Sequence, residues 1–169
     1  MSRSVAAVAE LETNEAQDLL SGYLETLSLV ERLHRLLLDV IKDEFERVRQ
    51  FDINAVQALL LFNIGRKTMT AGELKNRGYY QGSNVSYNLK KLVELGYIDH
   101  QRSDVDRRSV RVRLTDKGLA VHMLVSDLFS RHAEDLASSD QLRTEGIDGM
   151  NRDLRSVERY WTDEIRYIY

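Results

Sequence analysis

Apolar residues recur along this chain in distinct rhythms, and the changes of rhythm mark its elements. From Asn14 to about Arg49 the period is helical: Leu20, Tyr23, Leu24, Leu27, Val30, Leu37, Ile41, Phe45 and Val48 form one long stripe. Asn14, with Gln17 three residues on, has the form of a helix cap, and residues 1–13 read as a frayed or partly helical leader. The stripe is too long for one small domain to cover, so part of it is expected to pack on a second subunit. Asn54 and Gln57 repeat the cap pattern before the apolar run AVQALLLFNI, a short buried helix closed by Gly65. In MTAGELKNRG, Thr70 and Glu73 form a capping box and Met69 can staple to Leu74, while Gly78 stops the helix. Tyr79 to Gly82 is a turn and Ser83 begins the next helix. Two helices separated by a glycine-containing turn predict a helix-turn-helix.

The stretch from Leu89 to Leu114 changes period twice. Val85, Leu89 and Leu92 keep helical spacing, and Gly96 suits the left-handed position that ends a helix. Tyr97 to Arg102 is a first strand. From Ser109 the period is two: Val110, Val112 and Leu114 alternate with Arg111 and Arg113, giving one apolar and one cationic face. Asp104 to Arg108 is a charged tip between the strands. A helix followed by a basic hairpin has the layout of a winged helix-turn-helix, so the predicted fold is mainly α with a small β-hairpin wing. Thr115 caps a further helix to about Leu136. Ser138 to Gly146 breaks it, and Ile147, Met150, Leu154, Val157, Trp161 and Ile165 then follow a near-heptad seam suited to a dimer interface.

Charge sharpens this picture. The net charge of −3 conceals a basic segment: Arg66 to Lys117 carries twelve Lys/Arg against six acids, a balance of +6 that leaves −9 elsewhere. Such segregation suggests a basic reading head on an acidic body. The 43% hydrophobic content suffices for a core. No apolar run approaches the roughly 18 residues of a membrane span. No secretory segment opens the chain, and a cytoplasmic protein is the simplest expectation. The absence of cysteine removes disulfide and thiolate chemistry. Four histidines without short ligand spacing suggest no metal, and no nucleophile motif or phosphate-cradling loop points to an enzyme or a cofactor.

The same residues outline a surface for double-stranded DNA. With Val85, Leu89 and Leu92 inward, 100° per residue places Ser83, Tyr87 and Lys90 opposite, flanked by Asn84, Ser86 and Lys91. Residues near the start of a recognition helix touch base edges, so Asn84, Ser86 and Tyr87 are the candidate readers. Lys90 and Lys91 are phosphate candidates, or ordinary solvated lysines, and Ser83 also caps the helix. Arg102, Arg107, Arg111 and Arg113 are further phosphate candidates, with a solvated strand face as the alternative for Arg111 and Arg113. Asp104 and Asp106, on a basic tip, look like arginine partners rather than an acid/base pair.

The segments SNVSYNLKKLVELGYI (Ser83 to Ile98) and DVDRRSVRVRLTDKG (Asp104 to Gly118), with this order of elements, resemble the MarR family of bacterial transcription regulators. The long first helix and the turn YYQGS depart from the family pattern. The resemblance implies that Arg108 enters the minor groove and that Asp106 holds it; a narrow groove attracts a planar cation. It implies a homodimer on a pseudo-palindromic operator, with 51–118 as the DNA-binding lobe between dimerisation helices at 14–50 and 119–169. Leu20, Tyr23, Leu27, Leu154, Val157, Trp161 and Ile165 are the expected interface. It also implies a small aromatic effector in a crevice between the first helix, 55–64 and the start of the helix after Thr115. His34 and Phe62 are candidates there as polar anchor and aromatic wall, although His34 also reads as a core histidine. A rival class is a helical adaptor whose degenerate winged helix binds protein; it would not need Arg108 and its basic neighbours.

Overall fold

The structure is a computed structural model describing residues 2–50, 52–70, 73–74, 82–102, 110–139 and 141–168. In chain order the elements are α1 (Ser2–Arg47), α2 (Ala55–Ile64), β1 (Met69–Thr70), α3 (Gly82–Glu94), β2 (Ile98–Arg102), β3 (Val110–Leu114), α4 (Asp116–Ser138) and α5 (Thr144–Ile168). The chain divides into two compact units, 1–125 and 126–169.

In the first unit α1 begins twelve residues earlier than the cap at Asn14 suggested, so Asn14 lies inside a helix. Residues 6–12, AAVAELE, contain strong helix formers, and no Gly or Pro interrupts them. The expected cap of α2 does form: the Asn54 side chain accepts from Gln57 N (2.9 Å), and Gln57 Oε1 accepts from Asn54 N (3.1 Å). The box at Thr70 is likewise present, with Thr70 N donating to Glu73 Oε2 (2.6 Å) and Glu73 N to Thr70 Oγ1 (3.1 Å). Glu73 and Leu74 are helical. The rest of the helix expected at 71–77, and the turn at 79–81, lie outside the described residues.

Two helices end in the same six-residue wrap. Tyr97 N donates to Leu92 O and Gly96 N to Val93 O, with Gly96 at φ 75°. Gln50 N donates to Phe45 O and Arg49 N to Glu46 O, but here the left-handed residue is Arg49 at φ 57°. The first wrap turns the chain from α3 into the wing; the second turns α1 towards α2.

The hairpin forms as its alternation predicts, with Ile98 opposite Leu114 and Arg102 opposite Val110. A third, two-residue strand joins it: Met69 pairs with Val112 and Thr70 with Arg111, giving the order β1-β3-β2. Two residues are too few to display a period, which is why sequence pattern read Met69 and Thr70 only as a helix entry. The core beneath the sheet collects Ile41 and Phe45 of α1, Leu60, Leu61 and Ile64 of α2, Leu92, Tyr97, Val112 and Val125, all buried. Gly118 is required by a close approach: a Cβ there would stand 2.2 Å from Tyr97 O.

Away from that core α1 exposes Leu20, Leu24, Leu29, Leu33 and Leu36. α4 runs to Ser138 and α5 starts at Thr144, so the interval between the helices is shorter than the expected Ser138 to Gly146. On α5, Ile147, Leu154 and Val157 are half-buried and Met150, Trp161 and Ile165 exposed.

Candidate nucleic-acid interface

Helix α3 presents two unlike faces. Leu89 and Leu92 are buried, whereas Ser86, Tyr87, Lys90 and Lys91 are exposed, Tyr87 by 68%. An outward tyrosine of this exposure contributes little to packing and offers both a ring and a hydroxyl. Lys91 pairs with Glu94 at 3.8 Å, a solvated i,i+3 contact too weak to withhold the ammonium from a phosphate. Ser83 and Asn84 lie in the first turn of α3. Their side chains, and that of Val85, are outside the described residues.

On β3 the alternation divides as expected: Val112 and Leu114 are buried, and Arg111 and Arg113 exposed. The two arginines differ in their partners. Arg113 Nη2 reaches the cross-strand Asp99 Oδ2 at 2.9 Å, an ion pair between residues in register. Arg111, opposite Gln101 and Thr70, is the candidate phosphate contact on this strand. Arg102 is placed by backbone on β2 opposite Val110. The wing tip lies outside the described residues, and with it Asp106, Arg107 and Arg108.

Behind the wing is a polar cluster that sequence pattern did not single out. Asp52, in the connection from α1 to α2, accepts from Tyr97 Oη (2.8 Å) and Lys117 Nζ (3.0 Å) on Oδ2, and from Gln50 Nε2 (2.6 Å) on Oδ1. Gln50 Nε2 also donates to Tyr97 Oη (2.8 Å). Lys117 Nζ bonds Leu95 O (3.2 Å) and lies 4.0 Å from the Tyr97 ring centroid. The Tyr97 hydroxyl, then Lys117, holds the Asp52 carboxyl below its ordinary range. Burial, then the bond to Asp52, pushes Tyr97 up, and the bond to Asp52 raises Lys117. The signal available in sequence was only that Lys117 and Gly118 belong to the segment following the wing; nothing local links them to Asp52.

The two effector candidates are not placed as a pair. His34 is exposed on α1, so within one chain it is not a core histidine. Phe62 stacks on His122 with ring centroids 5.5 Å apart, and its carbonyl oxygen meets His122 Nδ1 at 3.2 Å. A cavity of about 370 Å³ does open between α1 and the start of α2, lined by Leu38, Asp39, Lys42, Phe45, Ile53 and Val56 among others; neither His34 nor Phe62 lines it. Among the described residues no group of His, Cys, Asp or Glu could hold a metal ion, and no helix is long and apolar enough to cross a membrane.

Comparison with known proteins agrees with this geometry. A family model described as a winged helix DNA-binding domain matches residues 53–118. The chain is 32% identical over 157 residues, 93% of its length and 80% of the relative's, to the exopolysaccharide II synthesis transcriptional activator ExpG of Rhizobium meliloti (strain 1021). Its fold is similar to that of Streptococcus pneumoniae FabT in complex with DNA, with TM-score 0.65 and 23% identity over 83% of this chain and 98% of that one. It is also similar to a mutant MarR from E. coli complexed with operator DNA, with TM-score 0.60 and 20% identity over 76% of this chain and 90% of that one.

Proposed function

The chain belongs to the MarR family of winged-helix DNA-binding transcription regulators, and on that premise we propose that it works as a homodimer on a pseudo-palindromic operator. The observation that carries the reading is the outward set on α3, Tyr87, Lys90 and Lys91, together with the exposed Arg111 of β3. A helix that turns one tyrosine and two lysines to solvent while burying Leu89 and Leu92 is built to be read against something anionic. Asn84, Ser86 and Tyr87 take base edges; Ser83, Lys90, Lys91, Arg102, Arg107 and Arg111 take the backbone. Arg108 enters the minor groove, oriented by Asp106.

The dimer is supported by the apolar residues that single units leave in water. Leu20, Leu24, Leu29, Leu33 and Leu36 on α1 and Trp161 and Ile165 on α5 are large apolar side chains left exposed, the kind of residue a subunit contact covers. In this reading Leu20, Tyr23 and Leu27 pack in the interface together with Leu154, Val157, Trp161 and Ile165. Residues 51–118 form the DNA-binding lobe, and both flanking helical regions dimerise. Two recognition helices then meet half-sites about one helical turn apart.

A small aromatic effector fits the reading, with the cavity between α1 and α2 as its site in place of His34 and Phe62. Occupancy would shift the spacing of the lobes only as far as the ligand binds one spacing better than the other. Aromatic acids and phenols that weaken operator binding while raising the melting temperature are the expected result.

The deciding experiment is selection of bound duplexes from random DNA, followed by a salt titration on the selected site. Log K should fall linearly with log salt, by several units of slope for several phosphate contacts. No enriched sequence, or binding insensitive to salt, would reject the reading in favour of a protein-binding winged helix.

A further inference from the structure

We propose that the Gln50–Asp52–Tyr97–Lys117 cluster is a latch that sets the angle of the reading head on the end of α1, and thereby selects the half-site spacing the protein accepts. Three parts of the DNA-binding lobe meet at one carboxylate. Tyr97 immediately precedes β2 of the wing and is fully buried, with its N bonded to Leu92 O of α3 and its carbonyl accepting from Thr115 N. Lys117, in the first turn of α4, also holds Leu95 O, just past the end of α3. Asp52 stands 45 residues from Tyr97 and 65 from Lys117 in sequence, on the connection that leaves α1.

The latch differs from the core around it in what it specifies. The apolar contacts of Phe45, Leu61 and Val112 hold the lobe together without fixing a direction, since dispersion is not directional. A carboxylate that takes a hydroxyl and an ammonium on one oxygen and an amide on the other fixes both distance and angle. Its neighbours narrow that angle further. The Lys117 ammonium is seated on the Tyr97 ring at 4.0 Å, and α1 reaches Asp52 only through the left-handed turn at Arg49. Rotation of the wing about the α1 exit therefore has to break several bonds at Asp52 together. Asp52 and Lys117 are not among the residues proposed to touch DNA, so they are positioning residues.

This inference rests on the homodimer reading for its consequence at DNA, and on the structure alone for the latch. Inserting one base pair between half-sites rotates one relative to the other by about 35°. Wild-type protein should therefore discriminate against the selected operator carrying one inserted or deleted base pair by about tenfold or more. Asp52→Asn and Lys117→Met should keep dimer mass and affinity for the unaltered operator within a few fold, but reduce that discrimination to near unity. Because the latch acts as one unit, the double variant should match either single variant. A purely structural role would instead lower affinity for every spacing alike. Unchanged discrimination in the variants, or losses that add in the double variant, would overturn the proposal. A second measurement is independent of assembly: hydrogen exchange in Asp52→Asn should rise at both 48–54 and 97–102 while 58–64 stays protected. If neither segment responds, the latch does not exist. If wild type is monomeric but both segments respond, the latch stands and the dimer reading fails.

Discussion

Gly118→Ala tests whether the wing is seated by backbone contact. Gly118 lies in the first turn of α4, where alanine is ordinarily the better residue by up to about 1 kcal/mol. Here the added Cβ would stand 2.2 Å from Tyr97 O and 3.2 Å from Leu114 Cβ, the first more than 1 Å inside ordinary van der Waals contact. Tyr97 O is the acceptor for Thr115 N at 3.1 Å, and its residue is fully buried, so relief means moving α4 off the wing and stretching that bond. Overpacking costs about 1–3 kcal/mol and an unmade buried hydrogen bond about 1–3 kcal/mol. Set against the helix gain, the net loss is about 1–5 kcal/mol. For a chain of this size that is a fall in melting temperature of about 2–20 °C. Gly22→Ala is the control: nothing lies within 4 Å of its added Cβ, so it should gain about 0.5–1 kcal/mol. Both are read by far-UV circular dichroism on heating, at one fixed protein concentration because assembly shifts the midpoint. A Gly118→Ala midpoint within about 2 °C of wild type would refute the contact argument.

Arg49→Gly should stabilise by about 0.5–1 kcal/mol, because a non-glycine residue at φ 57° carries strain that glycine does not; an unchanged or lower midpoint in urea unfolding argues against it. The Asp52 carboxyl is held below its ordinary value of about 3.8, first by Tyr97 and then by Lys117. Its contribution is therefore complete above that pH and lost as pH falls through the lower native value, so Asp52→Asn should flatten the stability profile in that acid window. Because the bond to Asp52 also raises Lys117 and, after burial, Tyr97, the variant should flatten the alkaline limb as well. Arg108→Ala should cost about 1–3 kcal/mol of operator affinity at fixed salt with an unaltered melting temperature, and Asp106→Ala less; equal affinity in both half-sites would remove Arg108 from the minor groove. Charged residues at both Leu154 and Trp161 should split the dimer, as sedimentation would show; an intact dimer would move the main contact away from α5.

Much of this architecture was legible because its signals are local. Asn54–Gln57, Thr70–Glu73 and Gly96 each act within one turn of chain, and the alternation from Val110 to Leu114 needs only two faces of one strand. The outward set on α3 followed from helical periodicity as soon as Leu89 and Leu92 were taken as inward. The start of α1 was misplaced for the converse reason: Asn14 and Gln17 have the form of a cap, but a cap is optional where the preceding residues are themselves helix formers.

What the sequence determined by itself is therefore the placing of α2, α3 and the hairpin, the cationic strand face and the outward residue types of α3, since each follows from spacing along the chain. Only the tertiary structure decided that β1 completes the sheet, that Phe62 belongs to His122 and not to His34, and that Gly118 must be bare. It alone joined Asp52 to Tyr97 and Lys117 across 45 and 65 residues. Hydrogen bonds and close approaches between distant segments leave no period in a sequence, because their partners are chosen by how the elements pack.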